Sequence, residues 1–203
     1  MAEKRLVLAS NNKKKIVEIQ SILTNTDVDI KIVTQASVGV EEVPEDGLSF
    51  VENALIKARH ASKVSGLPAI ADDSGLEVDA LNSAPGIYSA RYAGENASDK
   101  DNNQKLLAAL SNKASEERTA RFYCAIVYLR HELDPTPLIC SAAWEGHILK
   151  TAQGENGFGY DPLFYVPTHD CSSAQLAPET KSQISHRGQA LRLFAERYQA
   201  LQP

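Results

Sequence analysis

The opening of the chain limits its fold more than any other stretch. Residues 5–9, Arg-Leu-Val-Leu-Ala, are an apolar run too short for a helix, and Ser10-Asn11-Asn12 break it at once. Helical spacing follows at Ile16, Ile19, Ile22 and Leu23, with the Ser-Asn-Asn turn placed to cap the helix. A buried strand joined by so short a turn to an amphipathic helix commits this end to an α/β arrangement, because each element carries an apolar face that another must cover.

Later segments extend the pattern. Residues 28–33 alternate as a strand. Residues 48–65 read as a helix with Phe50, Ala54, Leu55, Ala58 and Ala61 along one face, and residues 68–71 and 76–81 as strands flanking an Asp-Asp turn. Residues 82–98 are loop-rich, and 100–111 form a helix. Residues 120–131 and 137–149 are long strands, joined through Glu132-Leu133-Asp134-Pro135 into an antiparallel hairpin. A glycine-rich loop at 153–160 enters a short strand, and an amphipathic helix fills roughly 183–201. The expected fold is α/β, with a long mixed sheet and flanking helices. No repeat, low-complexity tract or linker divides the 203 residues, so residues 1–203 read as a single domain.

Composition excludes several functions. The net charge of −5 argues against a general nucleic-acid coat. No apolar run reaches the roughly 20 residues of a membrane span, and the first apolar run is too short for a signal peptide. Cys124, Cys140 and Cys171 are odd in number and far apart, which fits reduced thiols in a cytoplasm better than disulfides or a zinc site.

The chemistry concentrates in five stretches. Asp72 and Asp73 end an apolar run and precede Ser74-Gly75. Such a sequence makes a good turn, yet paired acids also repel unless a cation such as Mg²⁺ offsets them. Residues 50–61 put Glu52, Asn53, Lys57 and His60 near one another, with Lys57 placed to reach a phosphate or the acidic turn. Ser10 to Lys15 open a helix, where free N–H groups, Asn11, Asn12 and the charges of Lys13, Lys14 and Lys15 suit phosphate; a surface lysine run is the plainer reading. Phe158, Gly159, Tyr160 and Asp161 offer aromatic faces on a glycine loop, fit to stack on a flat base. Lys181, His186 and Arg187 stand near the start of the last helix as donors for an anion or a purine carbonyl. Together these are the parts of a nucleotide enzyme that uses Mg²⁺.

Four motifs in this order resemble the inosine triphosphate pyrophosphatase family, the Ham1-like house-cleaning enzymes, and the bacterial type most of all. They are residues 50–61, 68–94, 157–164 and 181–191, and the resemblance spans nearly the whole chain. It implies hydrolysis of ITP, dITP and XTP to monophosphate and pyrophosphate with Mg²⁺. It also implies a two-lobed mixed-sheet fold around a central cleft, a homodimer, a cytoplasmic location, and no nucleic-acid or membrane partner. By the same resemblance Ser10 to Lys15 and Lys57 bind the triphosphate. Asp73 is general base and metal ligand, Asp72 its catalytic companion, and Glu45 a second metal ligand. Ser74 contacts substrate, while Phe158 to Asp161, Lys181, His186 and Arg187 recognise the base. Donors at His186 and Arg187 would favour a 6-oxo purine over adenine. The first loop departs from the family's Thr-Gly-Asn pattern: Asn11 stands where glycine is usual, and asparagine is among the better residues for a positive φ. Two alternatives are a Maf-like pyrimidine nucleotide pyrophosphatase and a nucleotide-binding module without turnover.

Overall fold

Strand β1 (Arg5–Leu8) leads through a short turn into helix α1 (Lys13–Thr24). The computed structural model describes residues 5–26 and 30–201. Strand β2 is Lys31–Thr34; residues 28 and 29 of the expected strand lie outside the described residues. Helix α2 (Phe50–Ser65) starts at Ser49, whose hydroxyl accepts from the Glu52 N–H, and stops at Gly66 with φ 68°. The remaining elements are β3 (Ala69–Val78), α3 (Asp99–Ala109), β4 (Thr119–Leu129), β5 (Leu138–Ile148), β6 (Phe164–Val166), β7 (Cys171–Ser172), α4 (Pro178–Ile184) and α5 (His186–Ala200).

Among the described residues, seven strands form one sheet in the order β2-β1-β3-β4-β5-β6-β7. Strand β1 runs parallel to β2 and β3, while β6 runs antiparallel to β5 and β7. The sheet is therefore mixed, as expected. The chain divides into two compact units. One holds residues 1–73, 124–142 and 187–203; the other holds residues 74–123 and 143–186. Strands β3, β4 and β5 each pass from one unit into the other.

Alternation along the strands builds the first unit. Leu6, Leu8, Ile70, Ile126 and Tyr128 pack with Ile19, Ile22 and Leu23 of α1 and with Leu191, Phe194 and Tyr198 of α5. Their neighbours Val7, Ala9, Ala69, Ala71, Val127 and Leu129 pack with Ala54, Ala58 and Ala61 of α2. Successive strand side chains point to opposite faces, so α1 and α5 cover one face and α2 the other. In the second unit Leu76, Val78, Ala120, Phe122, Trp144 and Ile148 meet Leu106 and Leu110 of α3. At alternate positions Arg121 pairs with both Asp79 and Glu145 on a polar face.

Two expectations are corrected. Residues 68–81 do not form two strands about an Asp-Asp turn; β3 runs unbroken through Asp72, Asp73 and Ser74. Gly75 takes no positive φ, and basic side chains on both faces of the sheet supply what solvent would have supplied to a turn. The last helix is also not continuous from residue 183. Ser185, buried and extended (φ −67°, ψ 157°), separates α4 from α5, in keeping with serine's preference for helix ends over interiors.

Candidate active site

Because β3 is a strand, its adjacent acids leave on opposite faces. Asp72 follows Ile70 toward α1 and α5, and Asp73 follows Ala71 toward α2. Asp72 is 1% exposed and takes Lys15 Nζ at 3.0 Å and Arg187 Nη2 at 3.3 Å. Burial works to raise its pKa, but Lys15 and then Arg187 reverse that and hold the carboxyl far below the usual carboxylate range. Arg187 also donates to Glu18 at 2.7 Å, so a buried cation stands between a buried anion and a half-buried one.

Lys15 reaches Asp72 from the first turn of α1. Asn12 caps that helix, its side-chain oxygen accepting from the N–H groups of Lys14 and Lys15. Ser10 Oγ accepts from the Asn12 N–H, and Asn11 Nδ2 donates to Glu42 at 3.0 Å. Asn11 has no positive φ, so the missing glycine carries no backbone strain here. Lys13 and Lys14 are exposed, whereas Lys15 is half-buried.

Asp73 meets a different company. Lys57, from α2, places its ammonium 3.5 Å from Asp73 Oδ1 and 2.9 Å from Glu45 Oε2. Asp73 Oδ2 is buried with no hydrogen-bond partner. Burial is the main cause raising the Asp73 pKa; Lys57 and Lys15 oppose it, and Glu45 and Asp72 add to it. The loop carrying Glu45 is pinned at its end, where the Gly47 N–H donates to Asn53 Oδ1 at 2.9 Å. A Cβ at residue 47 would lie 2.7 Å from Glu52 Cβ, so the loop can close on α2 only with glycine there. Ser74, the next residue of β3, is half-buried.

The second unit holds the other expected group. Buried Asp161 accepts from the Phe158 N–H at 2.8 Å, the Ser173 hydroxyl at 2.8 Å and Lys181 Nζ at 2.5 Å. It thereby locks the glycine loop, and Gly157, at φ 77°, sits so close that a Cβ would lie 2.1 Å from Asp161 Oδ2. Gly159 is held on both sides, its N–H by Asp99 and its carbonyl by Asn103. Lys181 lies 5.3 Å from the Phe158 ring centre. Tyr160 does not present a stacking face: it is 4% exposed in the apolar core, its hydroxyl donating to the Ser89 carbonyl at 2.8 Å. His186 is stacked on Phe122, ring centres 4.9 Å apart.

So Lys15, Lys57, Glu45, Asp72, Asp73 and Arg187 come together in the first unit, and Phe158 to Asp161 with Lys181 in the second, where His186 packs on Phe122. Adjacent His186 and Arg187 take different partners. Glu18, Ser173, Asp99 and Asn103 were not singled out from sequence. Glu18 alone left a trace there, one helical turn after Lys15 on the same face.

Among the described residues no group of three or more His, Cys, Asp and Glu side chains is placed to hold a metal ion. Two carboxylates, Glu45 and Asp73, share one cation position through Lys57, and one Asp73 oxygen lacks any partner. That donor set fits Mg²⁺, which binds through one or two carboxylates and completes its shell with water and substrate phosphates.

The model of the Ham1 family matches residues 6–197. A dITP/XTP pyrophosphatase of Vibrio parahaemolyticus is 57% identical over 194 residues, covering 95% of this chain and 96% of its own. One from Escherichia coli O157:H7 is 54% identical at 95% and 96% coverage. Among solved structures, a HAM1 protein from Coxiella burnetii superposes with a TM-score of 0.90 at 50% identity, covering 97% of this chain and 99% of that one. The Ham1 protein of Staphylococcus aureus gives 0.87 at 42% identity, with 98% and 100% coverage. With the match running from β1 into α5 and the fold reproduced at that level, this chain belongs to the Ham1 family.

Proposed function

We propose that the chain is a house-cleaning nucleoside triphosphate pyrophosphatase. It cleaves dITP, ITP and XTP to the monophosphate and pyrophosphate, and so keeps 6-oxo non-canonical purines out of DNA and RNA. Relatives 54–57% identical over almost their whole length carry the name dITP/XTP pyrophosphatase, which supports the substrate class. The observation that carries the chemistry is Asp73: a buried carboxylate with one oxygen on a lysine and the other without a partner.

In this reading residues 1–203 act as one catalytic domain, as a cytoplasmic homodimer. Lys15 and Lys57 take phosphate oxygens, with Ser10 to Lys14 and Ser74 lining the same substrate. A Mg²⁺ ion held by Glu45 and Asp73 would supply charge for the phosphate oxygens. Asp73 accepts the proton of the attacking water, a task helped by a pKa raised through burial. Asp72 suits that task poorly, since Lys15 and Arg187 hold it ionised; it positions those two side chains instead. Phosphoryl transfer asks mainly for placement and neutralised charge, so no Ser or Cys nucleophile is needed. For the base we assign the Phe158 face and the donors Lys181 and His186. Gly159 and Asp161 shape the loop. Arg187, engaged by Glu18 and Asp72, supports the first unit.

The test is pyrophosphate release from ITP, dITP, XTP, ATP, GTP, CTP and UTP with Mg²⁺. Preference for the first three is expected. Preference for the pyrimidines would replace this reading with the Maf-like one, and binding without release would leave a nucleotide-binding module.

A further inference from the structure

Lys57 stands at a position with two claims on it. Its side chain is 15% exposed, and its ammonium touches Glu45 and Asp73 together. A divalent ion held by Glu45 and Asp73 would stand between the same two carboxylates. Two cations on one shared pair of acids repel strongly when partly buried, so the ammonium has to leave as the ion arrives. The side chain is long and flexible enough to do so.

We propose that Lys57 is the resident cation of the acid pair: it keeps Glu45 and Asp73 assembled until a divalent ion takes both carboxylates, and the displaced ammonium then turns to a phosphate oxygen. The proposal rests on the reading of Glu45 and Asp73 as metal ligands. It makes Lys57 a positioning residue that couples two ligands. Metal alone must break both ion pairs and leave the ammonium without a counter-charge. Triphosphate alone must draw Lys57 away and leave two acids facing each other. When both bind, each relieves the cost the other imposes, and such coupling is reciprocal.

The experiment titrates Mg²⁺ alone, by calorimetry, into wild type, Lys57→Met and Lys57→Gln, and records thermal midpoints in EDTA and in Mg²⁺. Removing the competing charge is expected to tighten Mg²⁺ binding by roughly tenfold or more. The midpoint in EDTA is expected to fall below wild type, and Mg²⁺ to raise it further than it raises wild type. Lys57→Gln keeps a polar side chain in case methionine disturbs the packing. Equal or weaker Mg²⁺ affinity in either folded variant overturns the proposal. Glu45→Gln and Asp73→Asn, each added to Lys57→Met, separate the two readings. If they abolish Mg²⁺ binding while Lys57→Met alone leaves it unchanged, the acid pair is the metal site and only the role of Lys57 falls. If they leave binding intact, the ion sits elsewhere and both readings fall.

Discussion

Asp72 and Asp73 are neighbours in the chain, yet the two faces of β3 give them opposite circumstances. On the α1 and α5 face, Asp72 lies between two cations, Lys15 at 3.0 Å and Arg187 at 3.3 Å, and a second acid, Glu18, balances the excess of positive charge. On the α2 face, Asp73 has one long contact to Lys57, a second acid competing for it, and an oxygen with no partner. Burial penalises both carboxylates; only the first has cations enough to overcome it. Strand geometry thus solves the like-charge problem by separating the acids. It makes one a structural anchor and leaves the other underdetermined, and an underdetermined group can change partners during a reaction.

The sharpest way to break this comparison is to neutralise each acid in turn. Asp73→Asn is expected to lower turnover of ITP by about 10²–10⁴-fold, the usual worth of a positioned base, with further loss if metal binding goes too. Its thermal midpoint should stay near wild type, because the amide no longer carries a buried charge. Pyrophosphate release at saturating Mg²⁺ together with a melting curve measures both; near-normal activity removes Asp73 from the chemistry. Asp72→Asn is expected to show the reverse emphasis. It leaves Lys15 and Arg187 short of a counter-charge and should cost on the order of 3 kcal/mol of stability, read from urea unfolding, with the smaller part of the loss in turnover.

A second pair of variants sharpens the anchoring side. Glu18→Gln removes an ionic hydrogen bond to Arg187 and should cost about 1.5–3 kcal/mol. Combined with Asp72→Asn the losses should not add, since both acids share one guanidinium. Arg187→Ala is expected to lower kcat/KM for ITP and ATP by similar factors. A loss confined to ITP would show that Arg187 reads the base despite its carboxylate partners.

The alternation of strand and helix, the cap in the Ser10-Asn11-Asn12 turn, and the mixed sheet were legible in the sequence because they depend on local periodicity and local hydrogen bonding. Motif order singled out the acidic, lysine and glycine-loop residues as candidates. What was not legible depends on contacts distant in the chain. Asp-Ser-Gly has the composition of a turn, and only Lys15, Lys57 and Arg187, brought from three helices, make a continuous strand the better solution. Tyr160 looked like a stacking platform because its hydroxyl partner, the Ser89 carbonyl, lies 71 positions away. His186 and Arg187 read as one donor pair until Ser185 broke the helix and the two side chains found separate surroundings.

The smallest expected effect concerns the lysine run. Lys13, Lys14 and Lys15 are indistinguishable by charge, but only Lys15 is half-buried and fixed on Asp72. A cation in the first turn opposes the helix dipole, and an exposed charge acts on a ligand through water and salt, with a screening length of about 8 Å at physiological ionic strength. Lys13→Ala therefore removes an unfavourable dipole contact and a weak attraction at once. It is expected to change kcat/KM for ITP by no more than about twofold, an amount that vanishes in high salt. Lys15→Ala removes a phosphate partner and also uncovers Asp72, so its loss should be about tenfold or more and persist in salt. Steady-state kinetics at low and high ionic strength separate the two cases. If both variants lose activity equally, and both losses fade with salt, the run acts as a diffuse field, and the contact between Lys15 and Asp72 has no special part in holding substrate.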